Sequence, residues 1–320
     1  MVESNIYANG TSEIPLDRLR ILAELKDLAE GAIEGDGRHS TSVDFLMINR
    51  YRAHIPPIPV VLTPSLCLIL QGAKKVNLGE HLMQALPGDF LTTLIALPGM
   101  VQVCDATPDD PYVGLRIDLT AHEIATVVAE AGLKINPRDP NLSAGAFIGN
   151  ADLELLELIA RLLRLVHKPE AEAGYLSSLI KREFIFRLLT SEYGHLLMQQ
   201  VFFDQQAEGI GKALTWIQHH FNRPFSVDEL AKVSNMSVSG LHHKFKSITS
   251  MGPLQYQKQL RLQEARRLLL SGAMDATTVS LEVGYESPSQ FKCEYRRLFG
   301  LPPLKDVKAV KQSAASELLG

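Results

Sequence analysis

Phe225-Ser226-Val227-Asp228-Glu229-Leu230-Ala231 to Phe245-Lys246, and then Thr278-Val279-Ser280-Leu281-Glu282-Val283-Gly284-Tyr285 to Arg297-Leu298-Phe299-Gly300, are two stretches of the same design. Each reads as a short capped helix, a tight turn and a second capped helix, which is the scheme of a helix-turn-helix unit. In the first, Asp228 is placed to cap a helix through Val233, Ser234-Asn235-Met236 is the turn, and Ser237 caps a helix over roughly 238–248. Leu230, Val233, Leu241 and Phe245 fall at helical spacing and are expected to bury together. That leaves Ser239, His242, His243 and Lys246 pointing outward, the small polar face that a major groove admits. In the second unit Thr277 or Thr278 is the expected cap, and Gly284 ends the first helix in a left-handed conformation. Ser287 with Pro288 opens the next helix. Phe291, Tyr295 and Phe299 recur every four residues toward a core, with Ser289, Lys292, Cys293 and Arg296 off that stripe.

Between the units, Pro253 to Leu270 reads as one helix with an apolar stripe at Leu254, Leu262, Ala265, Leu268 and Leu269. At 1.5 Å per residue it spans roughly 25 Å, near the separation of successive major grooves, about 34 Å. Arg261, Arg266 and Arg267 lie on or beside it, in positions to meet phosphates.

The pattern resembles the DNA-binding domain of the AraC/XylS family of transcription regulators. It rests on Met236-Ser237, Leu241-His242, Phe245-Lys246, Gly252-Pro253-Leu254-Gln255-Tyr256, Arg261-Leu262, Ala265-Arg266, Val283-Gly284-Tyr285-Glu286-Ser287, Ser289-Gln290-Phe291, Arg296 and Phe299-Gly300, about a third of the chain. The resemblance implies base contacts at Ser239, His242 and His243 from the first unit and at Pro288, Ser289 and Cys293 from the second. The expected DNA-binding set is Ser239, His242, His243, Lys246, Arg261, Arg266, Ser287, Ser289, Lys292 and Arg296. Cys293 stands where the family usually carries an arginine.

The chain of 320 residues is long enough for two domains, and its formal charge of −4 alone argues against nucleic acid. The charge is unevenly spread: residues 206–320 hold 15 Lys+Arg against 10 Asp+Glu, and residues 1–205 hold 17 against 26. A basic C-terminal part beside an acidic N-terminal part fits phosphate contact at one end. The three cysteines, Cys67, Cys104 and Cys293, have neither disulfide-framework nor zinc spacing. Cys67 sits in an apolar run and reads as a buried small hydrophobe, while Cys104, beside Asp105, is expected to be more exposed. No signal segment or membrane-length apolar run is evident, so a cytoplasmic location is expected.

Residues 14–34 read as a helix. From Val43 to about Ile117, short β-rich runs punctuated by Pro and Gly indicate a small sandwich or barrel, with Pro87-Gly88-Asp89 as a tight turn. This stretch is similar to the cupin-like N-terminal domain of one AraC-family branch, through Ile55-Pro56, Pro64 to Gly72, Lys74-Lys75-Val76, Leu78-Gly79, Pro87-Gly88 and Pro111-Tyr112. The similarity implies a regulatory, ligand-sensing role. Arg52, His54, Tyr112 and Arg116 are the candidate polar handles for a small organic effector. His39, His54, His81 and His122 are scattered with no His-x-His pair, so no metal and no cofactor is expected. Residues 151–199 form a helix pair that either caps the barrel or makes a homodimer face, and Phe203 to Gly211 reads as the linker.

The sequence therefore predicts an α+β multidomain chain. Residues 1–204 form a cupin-like β-barrel with flanking helices, 205–310 an all-α domain of two helix-turn-helix units joined by a long helix, and 311–320 a tail. The expected partners are a double-stranded DNA operator, a small organic effector, a second copy and, for an activator, RNA polymerase, with no membrane. Two rival readings make different demands. A cupin-type enzyme fused to a DNA-binding module needs a metal or a convergent acid/base pair. A DNA-repair methyl acceptor needs a cysteine in a nucleophile setting.

Overall fold

The computed structural model describes residues 16–79, 81–133, 145–205, 209–272 and 274–310. The N-terminal part begins with helix α1 (Leu16–Gly31). Strands β1 (Gly37–Ser40), β2 (Leu46–Tyr51), β3 (Ile55–Leu62), β4 (Ser65–Gln71), β5 (Ala73–Leu78), β6 (His81–Ala85), β7 (Asp89–Thr93), β8 (Leu97–Cys104) and β9 (Tyr112–Asp118) follow. Helix α2 (Ala121–Glu130), strand β10 (Ala146–Asn150) and helices α3 (Leu153–Arg164), α4 (Glu170–Thr190) and α5 (Gly194–Gln205) complete it. The strands form two antiparallel sheets, one ordered β1-β2-β9-β4-β7-β10 and the other β3-β8-β5-β6.

Strand β4 explains the layering. Its sequence, Ser65-Leu66-Cys67-Leu68-Ile69-Leu70, is apolar without alternation, the mark of a strand covered on both faces. Leu66, Leu68 and Leu70 join Leu46, Ile48, Val113, Leu115 and Ile117 against helices α1 to α5. Cys67 and Ile69 face the other sheet, packing with Val76 and Val103 among others. Cys104, expected to be exposed, is buried, because β8 extends through it and pairs it with Ala73. Gly88 is left-handed (φ 88°) in the expected turn.

Three strands and one helix of this part escape periodicity. β1 and β10 are short, β3 carries three prolines (Pro56, Pro57 and Pro59), and α2 follows β9 directly. β3 lies at a sheet edge, with a register irregularity between Ile55 and Ile58, where missing N–H donors are tolerated.

The C-terminal part is helical: α6 (Ile210–His220), α7 (Val227–Val233), α8 (Val238–Thr249), α9 (Pro253–Ser271), α10 (Ala276–Glu282) and α11 (Pro288–Phe299). The expected linker over 203–211 overlaps helix at both ends, since α5 runs through Gln205 and α6 starts at Ile210. The expected tail, 311–320, lies outside the described residues.

The first helix-turn-helix unit has no core of its own. Ile210, Leu214 and Ile217 of α6, Leu230 of α7 and Leu241, Phe245 and Ile248 of α8 bury together with Leu62, Leu91 and Leu97 of the sheets and Ile95 between β7 and β8. Polar contacts fix the same seam. Gly145 N–H donates to Ile248 C=O (2.8 Å), Tyr256 Oη donates to Ala96 C=O (2.8 Å), and Gln263 Nε2 donates to Val60 C=O (2.9 Å). The second unit is different. Val279, Val283, Tyr285, Phe291 and Tyr295 bury against Leu262, Ala265 and Leu269 of α9.

Candidate nucleic-acid interface

In the first unit the cap of α7 is Ser226, whose hydroxyl accepts from Glu229 N–H (3.1 Å), and not Asp228, which lies inside the first turn. The turn is as expected. Asn235 takes a left-handed conformation (φ 54°), which a short polar side chain tolerates, and Met236 N–H reaches back to Ala231 C=O (2.9 Å). Ser237 then accepts from Gly240 N–H (3.1 Å) and starts α8. Leu241 and Phe245 are buried and Val233 half-buried. Ser239, His242, His243 and Lys246 lie on the exposed side of α8, with Lys244, which sequence reasoning did not single out.

The second unit repeats the geometry with a turn one residue longer. Gly284 is left-handed (φ 87°) and Tyr285 N–H reaches back to Ser280 C=O (2.9 Å), matching Asn235 and Met236. The capping residue then falls at Ser287, three positions after the left-handed residue, against two in the first unit. The cap of α10 is Asp275, which accepts from Thr277 N–H (2.8 Å) and Thr278 N–H (3.1 Å). The expected caps Thr277 and Thr278 are therefore donors to the cap. In α11, Phe291 and Tyr295 are fully buried and Phe299 half-buried, leaving Ser289, Lys292, Cys293 and Arg296 exposed. Ser287 is half-buried and its hydroxyl accepts from Gln290 N–H (3.4 Å), so its first role is structural.

Two arginines expected to meet phosphates are turned inward. Arg261 donates through Nε to Phe221 C=O (2.6 Å), its guanidinium lies 5.9 Å from the Tyr285 ring, and burial lowers its pKa. Arg266 grips Asp306 with both prongs, Nε to Oδ2 (2.8 Å) and Nη2 to Oδ1 (2.9 Å), above the Phe299 ring. Tyr295 Oη donates to the same carboxylate (2.8 Å), and burial followed by that bond pushes the phenol pKa up. A bidentate fork filled from inside the protein has little left for DNA. Arg267 is exposed and bonded to Glu264 on its own helix. Leu254, expected in the apolar stripe of α9, is half exposed. Tyr256 and Gln257 are buried in that helix instead.

A bridge that sequence reasoning missed ties α11 to α9. Glu294 accepts from Lys258 Nζ (2.9 Å) and Tyr285 Oη (2.8 Å). Burial raises its pKa, but the hydrogen bonds from Lys258 and Tyr285 outweigh that and leave the carboxyl below its ordinary value. Only the i to i+4 pairing of Gln290 with Glu294 was visible locally, because Lys258 lies far away in sequence.

The four candidate effector residues do not converge. Arg52 is exposed near Asp36 (3.9 Å), and His54 is exposed beside Gln102 (3.4 Å). Tyr112 is buried against Tyr51, its ring lying over Gly114, and burial raises its pKa well above the ordinary value. Arg116 donates to Asp118 Oδ1 (2.8 Å) and Thr63 Oγ1 (2.6 Å). Among the described residues no three His, Cys, Asp or Glu side chains come together as a metal would need. Among them, too, no helix is long and apolar enough to cross a membrane.

Comparison with known proteins gives this architecture its context. The family model described as AraC-type transcriptional regulator N-terminus matches residues 42–196, and a helix-turn-helix domain model matches residues 230–308. The chain is 30% identical over 111 residues to the HTH-type transcriptional activator RhaS of Pectobacterium carotovorum subsp. carotovorum, covering 33% of this chain and 40% of that protein. It is 32% identical over 94 residues to a putative AraC-like transcription regulator of Streptomyces lividans, covering 29% of this chain and 31% of that one. The chain thus spans well under half the length of either relative. In fold it is similar to unsaturated fatty acid-bound wild-type ToxT of Vibrio cholerae, with a TM-score of 0.55 at 10% identity, covering 86% of this chain and 96% of that one. An AraC-type N-terminus of two antiparallel sheets, followed by two helix-turn-helix units on one connecting helix, places this chain in the AraC family of transcriptional regulators.

Proposed function

We propose that this protein is a sequence-specific transcription regulator that binds double-stranded DNA through α8 and α11 and answers to a small organic effector. The observation that carries the reading is the pair of capped helices, α8 and α11, each buried on one side and polar on the other, held on the single helix α9. At 19 residues, α9 is about 28 Å long, close to the spacing of successive major grooves. Ser239, His242 and His243 are the base-reading candidates of α8, with Lys246 toward phosphate. Ser289, Lys292, Cys293 and Arg296 are their counterparts on α11.

The protein is proposed to act as a cytoplasmic homodimer that recruits RNA polymerase where it activates. Tyr175, Leu179 and Phe186 recur at helical spacing on α4 and are exposed, while the opposite side of the helix is buried on the sheet domain. A second copy covering this stripe is the occupant that such a face suits. Unsaturated fatty acid-bound ToxT, with its similar fold, supports control by a small organic molecule.

DNase footprinting on DNA flanking the chain's own gene, at physiological salt with competitor DNA, tests the reading. Specific protection is expected, weakened at least about fivefold in a His242→Ala/His243→Ala variant with relaxed sequence preference. Equal affinity and preference in the variant would remove those histidines as readers. The absence of any specific protection, with or without cell extract as a source of effector, would remove the regulator reading itself.

A further inference from the structure

Among the described residues Lys181 is, with Arg50 and Asp306, one of the few charged side chains that are buried. It projects from the buried side of α4, beside Ile180, Phe184 and Ile185, and its ammonium donates to Glu123 Oε1 on α2 (2.6 Å). The same ammonium lies 4.3 Å from the centre of the Phe45 ring. An ammonium has three N–H donors. One is taken by Glu123 and the ring faces the cation from another side, which leaves it able to serve one further acceptor.

Beside it, between α2 and α4, is an open cleft of about 310 Å3. Its floor is apolar, formed by Phe45, Val127 and Ile185, and its polar rim is selective. Ser178 Oγ donates to Tyr175 C=O (2.7 Å) and Thr126 Oγ1 donates to His122 C=O (2.8 Å), so both hydroxyl protons are spent on helix carbonyls. Lys181 is the cation at the cleft: it shares the lining with its partner Glu123, while Arg182 on the rim is already paired with Glu130.

We propose that this cleft binds a small aromatic or branched aliphatic carboxylate, its carboxylate on Lys181 and its apolar body over Phe45, Val127 and Ile185. The volume is at the small end of organic-ligand pockets. A cation at one end and an apolar floor along the rest select an amphipathic anion over a sugar or a nucleotide. The site is separate from Arg52 and His54, which lie between β2 and β3, and from Tyr112 and Arg116, which lie on β9.

The cleft also reaches the DNA-binding part. The second oxygen of Glu123 accepts from Thr120 N–H (2.9 Å) and Thr120 Oγ1 (2.8 Å), closing the capping box of α2. Thr120 in turn lines a cleft of about 480 Å3 on the seam, opposite Gly211, Leu214 and Thr215 of α6. A carboxylate that shares Lys181 weakens its hold on Glu123, the residue that fixes the α2 end abutting α6. Naming this ligand as the effector rests on the regulatory role proposed above, whereas the existence of the site does not.

Isothermal titration of the full chain with 2-naphthoate, without DNA, tests the site. Binding with a dissociation constant below about 1 mM is expected, and 2-naphthamide should bind at least about tenfold more weakly, as a charge-assisted hydrogen bond requires. Lys181→Met should lose binding to a similar degree. Ser178→Trp, a change at an exposed position that fills the cleft and leaves the Lys181 side chain in place, should abolish binding while leaving the melting temperature unchanged. The site is refuted by no heat with 2-naphthoate at 1 mM, by equal affinity for acid and amide, or by unaltered binding in Ser178→Trp. Because no DNA is present, failure here leaves the DNA-binding reading standing, and a missing footprint leaves this site standing.

Discussion

Arg266 carries a residue-level lesson about charge. In a chain read for DNA binding an arginine on the connecting helix invites a phosphate, yet here its fork is closed on Asp306, which is 4% exposed. Removing one partner of a buried pair leaves the other charged and desolvated. Arg266→Ala is therefore expected to lower unfolding free energy by about 3 kcal/mol in urea titration. The salt slope of DNA binding by the folded fraction should be unchanged. A flattened slope with normal stability would return Arg266 to the phosphate set. Glu123 gives a second test. Burial alone would raise its pKa, but the bonds from Lys181 and Thr120 prevail and leave it lowered. A carboxyl lowered in the folded state adds stability above its unfolded pKa, about 4.3, and loses it as pH falls through the folded value. Glu123→Gln should thus be less stable at pH 7 and show a shallower loss of stability below about pH 5. A parallel acid limb in both proteins would contradict the assignment. The Arg266–Asp306 and Lys181–Glu123 pairings were not legible in the sequence, because each joins residues far apart in the chain; the Thr120–Glu123 capping box is local and was overlooked.

At the scale of elements, local chemistry was legible where one residue type answers one backbone demand. Ser237, Gly284, Ser287 and Pro288 were placed correctly because caps, left-handed turns and first-turn prolines have short-range causes. The caps of α7 and α10 were displaced by two or three residues, since Ser226 and Asp275 compete with equally suitable neighbours such as Asp228 and Thr277. β3 was missed because three prolines hide a strand that survives only at a sheet edge. Gly284 offers the sharpest element-level prediction. Besides its positive φ, a Cβ there would run into the Asn222 carbonyl oxygen and crowd Arg261 Nη2 (3.0 Å). Gly284→Ala should cost at least about 1–3 kcal/mol and loosen the second unit selectively. Hydrogen exchange should show the loss of protection in α10 and α11 ahead of α8. Equal protection in all three helices would mean that the turn adapts freely.

The whole molecule departs most from what a sequence boundary suggests. The divide expected at 204/205 marks a change in texture, but the core runs across it, and the first helix-turn-helix unit completes its burial only against the sheets. Long-range burial of this kind leaves no periodic trace, whereas the second unit, cored on α9, reads as self-contained. The expected effector residues failed to converge for the same reason: polarity on a strand marks a position and not a partner. Gly79, left-handed at φ 63°, abuts Ser250 at the seam, and a Cβ there would meet the Ser250 carbonyl oxygen. Gly79→Ala is expected to split a single calorimetric unfolding transition into two, because the first unit would lose part of its support. One unbroken transition at the wild-type temperature would mean that the seam contributes little to cooperativity.

The central claim is that α8 and α11 enter successive major grooves on one side of the duplex, and hydroxyl-radical footprinting of the bound operator tests it most directly. The account predicts two protected patches per chain whose centres lie about one helical turn, roughly 10 base pairs, apart, the farther one lost in Lys292→Ala/Arg296→Ala. A single patch unaffected by that variant would contradict it, leaving α8 as the sole reading helix and α11 as structure.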